Sequence, residues 1–167
     1  MSRIESKTSI GNALALQYDK TFNMITDGIE NVSDELWNLN KNDWRFAWNS
    51  FHIVETISFY IHDDPNEMKW GERAGINWKK DKGDSLIEKM NKITKDLVKS
   101  YIIDVKENLN QKFKNMSDAK FLSKDKFGQN FSSNLERHIY SIRHAIFHAG
   151  ELNKTLRDNN EKRINWQ

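Results

Sequence analysis

An all-α fold is what the sequence predicts, a four-helix bundle with a long connection between its second and third helices, and three observations predict it. One proline and seven glycines interrupt 167 residues, too few breakers for a fold of many short strands. Apolar side chains recur at steps of three and four in several long stretches, the spacing that lines one face of a helix. Two of those stretches open on Ser-x-x-Glu, the signature of a helix N-terminus in which serine and glutamate each satisfy a backbone donor.

The first helix is marked by Ile10, Leu14, Tyr18, Phe22, Ile25 and Ile29 and ends near Asn31. Ser33, followed by Asp34 and Glu35, caps a short turn that carries Leu36 and Trp37. A second helix is expected from about Trp44 to His62. Phe46, Trp48, Phe51, Ile53, Val54, Ile57, Phe59, Tyr60 and Ile61 leave it almost no polar face, so it belongs in an interior. Asp64-Pro65 ends it, because proline pushes the preceding residue out of helical geometry. Ser85 with Glu88 opens a third helix that carries Leu86, Met90, Ile93, Leu97, Tyr101, Val105, Leu109 and Phe113. Ser133 with Glu136 opens a fourth that runs through about Leu156, with Ile139, Ile142, Ile146, Ala149 and Leu156 filling the side opposite its histidines.

Between the second and third helices lie about twenty residues, against the roughly two to eight that join antiparallel neighbours in a simple bundle. Such a stretch crosses a bundle end or covers a site. Trp70 and Trp78 within it favour a cover, since a solvated linker has little use for two indoles.

A chain of this length buries roughly 70% of the surface it exposes when unfolded, so residues 1–167 are expected to form one domain without staples. Cysteine is absent, which removes disulfides, thiolate nucleophiles and thiolate metal ligands and fits a reducing compartment. The 26 basic and 24 acidic residues are mixed along the chain for a net charge of +2; no basic track suits a phosphate backbone, so nucleic acid is not an expected partner. No apolar run reaches the roughly 20 residues of a membrane span, and the polar start MSRIESKTS lacks the apolar core of a secretion signal. A cytoplasmic protein without membrane association is the expectation.

Within RHAIFHAGE, His144 and His148 stand four apart, so both imidazoles leave the same helix face one turn from each other. Glu151, Tyr140 and Phe147 share that face. His52 lies in the apolar second helix beside Trp48, Glu55, Thr56 and Phe59, where an uncompensated ring costs on the order of 1–3 kcal/mol. Three imidazoles from two buried helices can meet around one divalent ion. They form the ligand set of a catalytic zinc site with an open fourth position, and nickel, iron or manganese suit the same ligands. Glu55 and Glu151, each about one turn from a ligand, can orient a ring, act as a general base, complete the coordination, or simply line the bundle. His62, at a helix end beside Asp63 and Asp64, and His138, off the ligand face, are read as structural or solvated.

His52 within WNSFHIVETISFYIH, with His144 and His148 within HAIFHAGEL, resembles the pattern of the DinB/YfiT-like superfamily of metal-dependent enzymes. Those are four-helix bundles with one histidine in the second helix and H-x-x-x-H-x-G-[QE] in the fourth. Helix order, length and the long central connection agree over most of the chain. Many members carry Arg after the last histidine and Gln two places on, where this chain has Ala149 and Glu151, so the resemblance carries no substrate-handling role to those positions. It implies a divalent metal, zinc or nickel foremost, on His52, His144 and His148, and frequent homodimers. It also implies transfer of a low-molecular-weight thiol to an electrophilic small molecule. Glu55 and Glu151 are then the candidates for proton management, and Trp48, Trp70, Trp78 and Tyr140 for the substrate pocket. A metal-dependent hydrolase, and a non-catalytic, stress-linked binding or dimerisation bundle, are the alternatives.

Overall fold

A computed structural model describes residues 9–41, 44–128 and 131–167; the polar start at 1–8 therefore lies outside the described residues. Among the described residues the regular structure comprises seven α-helices, two single-turn 3-10 helices (Pro65–Glu67 and Glu72–Ala74) and one minimal hairpin: α1 (Ile10–Asn31), α2 (Asp34–Asn38), β1 (Asn40–Lys41), β2 (Trp44–Arg45), α3 (Phe46–Ile61), α4 (Gly83–Met90), α5 (Lys95–Asn115), α6 (Asp118–Leu122) and α7 (Asn134–Asp158). Four of the helices are long, and α1 and α3 each pack against both α5 and α7. No described helix is long and apolar enough to cross a membrane.

Local chemistry sets the starts. The Ser9 side chain accepts a hydrogen bond from the Asn12 backbone N–H, and Ser33 does the same for Leu36, each satisfying one donor the first turn leaves open. Ser133 caps α7 through the Glu136 N–H, while the Glu136 carboxylate reaches back to the Ser132 N–H at 2.6 Å. This is the expected reciprocal cap, displaced by one residue. Along α1 the residues Leu14, Tyr18, Phe22, Ile25 and Ile29 are buried as their spacing requires.

Three expectations are corrected. The helix expected from Trp44 starts at Phe46, because Trp44–Arg45 pairs antiparallel with Asn40–Lys41. The third helix is two: α4 stops at Met90 and α5 restarts at Lys95, with the Thr94 side chain accepting from the Leu97 N–H. Ser85 lies inside α4, and Glu88 pairs with Lys92 at 2.8 Å instead of closing a cap. The break lets Ile93 turn inward, where its carbonyl accepts the Trp37 indole N–H at 2.9 Å. On α7, Ile139 is 52% exposed, while Arg137, His138, Ser141, Ala145, Ala149, Leu152 and Leu156 form the buried stripe.

A guanidinium occupies that stripe because a carboxylate meets its charge and acceptors meet both of its terminal nitrogens. Arg137 and Asp125 form an ion pair at 2.8 Å with both side chains 1% exposed. Arg137 also donates to the His62 carbonyl at 2.6 Å and to Asn134 at 2.9 Å, and lies 4.1 Å from the centre of the Phe127 ring. The α6–α7 segment is thereby fastened to the end of α3, beside a small aromatic cluster of Phe59, Tyr60 and Phe127.

Candidate metal centre

His52 sits at mid-length on α3, and His144 and His148 lie on the α7 face turned toward it. The ring centroids are 5.6 Å apart for His52 and His144, 5.2 Å for His52 and His148, and 4.6 Å for His144 and His148. One ligand nitrogen from each falls within 4.8 Å of the others. The three residues singled out in the sequence thus form one cluster, and each ring is only partly buried, as ligand entry requires.

Hydrogen bonding assigns the nitrogens of the α7 pair. A carboxylate only accepts, so the 2.6 Å contact between His148 Nδ1 and Glu151 Oε2 places a proton on Nδ1; a neutral ring then carries its lone pair on Nε2. That Nε2 lies 3.2 Å from Nε2 of His144. Two nitrogens held at about 2.0–2.1 Å by a tetrahedral zinc are about 3.3 Å apart, so the pair is spaced as two ligands of one ion. His144 Nδ1 is buried and has no hydrogen-bond partner among the described residues.

Electrostatics favour the neutral rings that metals need. Burial, then the neighbouring His148 and His144, push His52 down to about 4, with Glu151 opposing. Burial and His148 likewise lower His144. Glu151 sets a carboxylate beside the three imidazoles, a donor set that suits a divalent cation.

The two glutamates part company. Glu151 touches a candidate ligand, whereas Glu55 is buried and accepts the Gly71 N–H at 2.6 Å. Burial pushes Glu55 up to about 7, the Gly71 hydrogen bond opposing. Gly71 has φ +81°, and a Cβ there would stand 2.6 Å from the Ile76 carbonyl oxygen and 2.8 Å from Trp78 Nε1. Only glycine fits this anchor. It was missed in the sequence, where its one signal is a glycine directly after Trp70.

Trp48 lies 6.1 Å from His52, Trp78 packs edge-on to Trp48 at 5.0 Å, and Tyr140 stacks on His144 at 6.1 Å. Trp70 instead packs on Phe59 at 4.9 Å. Phe147, 65% exposed, stands 5.3 Å from His148 on the open side. His62 caps the end of α3 and pairs with Glu67 at 3.3 Å. His138 is fully buried against Phe113, Phe121 and the Tyr18 hydroxyl, with burial and Arg137 pushing it down to about 3. Neither joins the cluster.

Comparison of the chain with known protein families, curated proteins and solved structures finds no match.

Proposed function

We propose that the chain is a metal-dependent enzyme of the DinB/YfiT-like kind, a four-helix bundle built on α1, α3, α5 and α7, that transfers a low-molecular-weight thiol to an electrophile. The observation that carries this reading is the convergence of His52, His144 and His148, with one ligand nitrogen from each within 4.8 Å of the others. These three would hold the ion, zinc or nickel foremost. When bound there, such an ion acts as a Lewis acid that lowers the pKa of a coordinated thiol or water toward neutrality.

The chain's own residues have distinct duties in this scheme. Glu151 fixes the His148 ring and its tautomer through Nδ1. Trp48 and Trp78 form an aromatic flank beside His52, and Tyr140 backs His144. Glu55 holds the connection over α3 through Gly71. A cysteine-free chain offers no thiol of its own to compete with a diffusible one. A cytoplasmic homodimer acting on small molecules accompanies this reading.

Two measurements test it. Elemental analysis of protein purified without an affinity tag should find one equivalent of divalent metal per chain. Conjugation of glutathione or bacillithiol to 1-chloro-2,4-dinitrobenzene should require that metal and vanish in His148→Ala. Activity that survives the substitution would defeat the transferase, and ester hydrolysis without thiol would move the assignment to a hydrolase.

A further inference from the structure

The connection between α3 and α4 is built as a wall. It meets α3 at three points along one stripe of that helix: Trp70 on Phe59 at 4.9 Å, Gly71 on the Glu55 carboxylate at 2.6 Å, and Trp78 on Trp48 at 5.0 Å. His52 belongs to the same stripe, between Trp48 and Glu55. The wall is also braced internally. The Ile76 N–H donates to the Gly71 carbonyl at 2.9 Å, and Asp81 accepts from the Asn77 N–H at 2.6 Å and from Lys89 of α4 at 2.7 Å.

These braces leave a groove of about 750 Å³ lined by Met68, Trp70, Ile76 and Trp78, with Lys69 and Lys79 among its polar residues. The volume falls within the roughly 300–1,000 Å³ of small-molecule sites, and the lining sets these apolar walls beside the polar Lys69, Glu72, Asn77 and Lys79. Glu72 also lines the groove and lies 3.4 Å from the Lys69 ammonium, so those two charges offset each other. The Lys79 ammonium makes no ion pair among the described residues. A groove with two indoles and one uncommitted ammonium complements a flat apolar body that carries a single negative charge. Trp78 joins this groove to the histidines, since its other neighbour, Trp48, packs on His52.

We propose that this groove is the acceptor subsite of the three-histidine centre, taking a small planar apolar molecule with one anionic group and presenting it toward His52. The proposal rests on the reading of that centre as a reaction site.

The probe is 8-anilinonaphthalene-1-sulfonate, a planar apolar anion, titrated into the full-length folded protein at neutral pH, with its uncharged analogue N-phenyl-1-naphthylamine alongside. The expected result is one saturable site that receives energy from tryptophan. Loss of one aromatic wall or one charge contact is worth roughly 1 kcal/mol, or about fivefold in affinity. Trp70→Ala should therefore weaken both probes about fivefold, and Lys79→Glu only the sulfonate. Trp166→Ala, at a position 79% exposed near the C-terminus, should change neither. Several weak sites indifferent to Trp70→Ala and Lys79→Glu would overturn the subsite. Cobalt(II) then separates this proposal from the one beneath it. If cobalt occupies the histidines, it should broaden the proton resonances of the bound sulfonate, and in His148→Ala the sulfonate should bind without broadening. Cobalt bound with no broadening overturns the link to the centre. The variant pattern without any cobalt binding would keep the groove as a ligand site and remove the metal reading.

Discussion

Glu151 orients the ring of His148: its carboxylate accepts the Nδ1 proton at 2.6 Å and so turns Nε2 toward Nε2 of His144, 3.2 Å away. The pair lies within one helix, three residues apart, so the orientation is set by α7 alone before α3 is in place. Partners of this kind are commonly worth about 10–100-fold in metal affinity. Glu151→Ala should therefore weaken zinc binding by about that factor in calorimetric titration while the far-ultraviolet circular dichroism stays unchanged. Undiminished affinity would mean that packing alone aligns the ring.

Glu55 predicts a pH dependence of stability in the metal-free protein. Its folded value is raised to about 7 from 4.5, so between those values the native state holds the proton that the unfolded chain has lost. Unfolding then takes place with proton release, and stability falls as pH rises through that window. The favourable contribution is complete below about pH 4.5 and gone above about pH 7, a change on the order of 3 kcal/mol. Glu55→Gln keeps an acceptor for the Gly71 N–H and should flatten this component in urea unfolding followed from pH 5 to pH 8. His138 acts in the opposite sense. Its folded value of about 3 against 6.5 means that stability is lost as pH falls below 6.5, so the acid side of the profile should persist in the Gln variant.

Asp125→Ala should be among the most damaging single changes outside the histidine cluster. It strands the Arg137 guanidinium, 1% exposed, without its carboxylate, and removes the acceptor of the Phe127 N–H at 2.7 Å. Breaking one side of a buried pair costs about 3–5 kcal/mol. The double variant Asp125→Leu with Arg137→Met should recover a large part of that loss in chemical denaturation, because no charge is then left uncompensated. A double variant no better than Asp125→Ala would show that the guanidinium's hydrogen bonds to neutral acceptors, the His62 carbonyl and Asn134, carry the joint.

What could be read from the residues in order is what local chemistry determines. Ser33 and Ser133 cap the helices that follow them, and the step-of-three-and-four apolar pattern of α1 is its buried face. The histidine spacing on α7 is equally local, and His52 was conspicuous as a polar ring in the most apolar helix. The split between α4 and α5 was hidden because Ser85-x-x-Glu88 imitates a start, whereas the true one uses Thr94 and is stabilised by the burial of Ile93 and its bond to Trp37, 56 positions away. Distance in sequence also concealed the Glu55–Gly71 anchor and the Asp125–Arg137 pair. Ile139 was misassigned because periodicity marks an apolar residue as inward, and only the Asp125 carboxylate makes Arg137 the better occupant of that face.

His144 and His148 remain one turn apart in any stretch of helix, while His52 precedes His144 by 92 positions. A half-folded chain in which α7 is formed therefore keeps a two-toothed chelate and lacks only the third donor. The discrimination an ion makes between native and half-folded forms is then limited to what the distant imidazole adds. Saturating zinc should raise the melting temperature by less than its affinity for the native protein implies, and it should leave α7 as the last segment to surrender its metal.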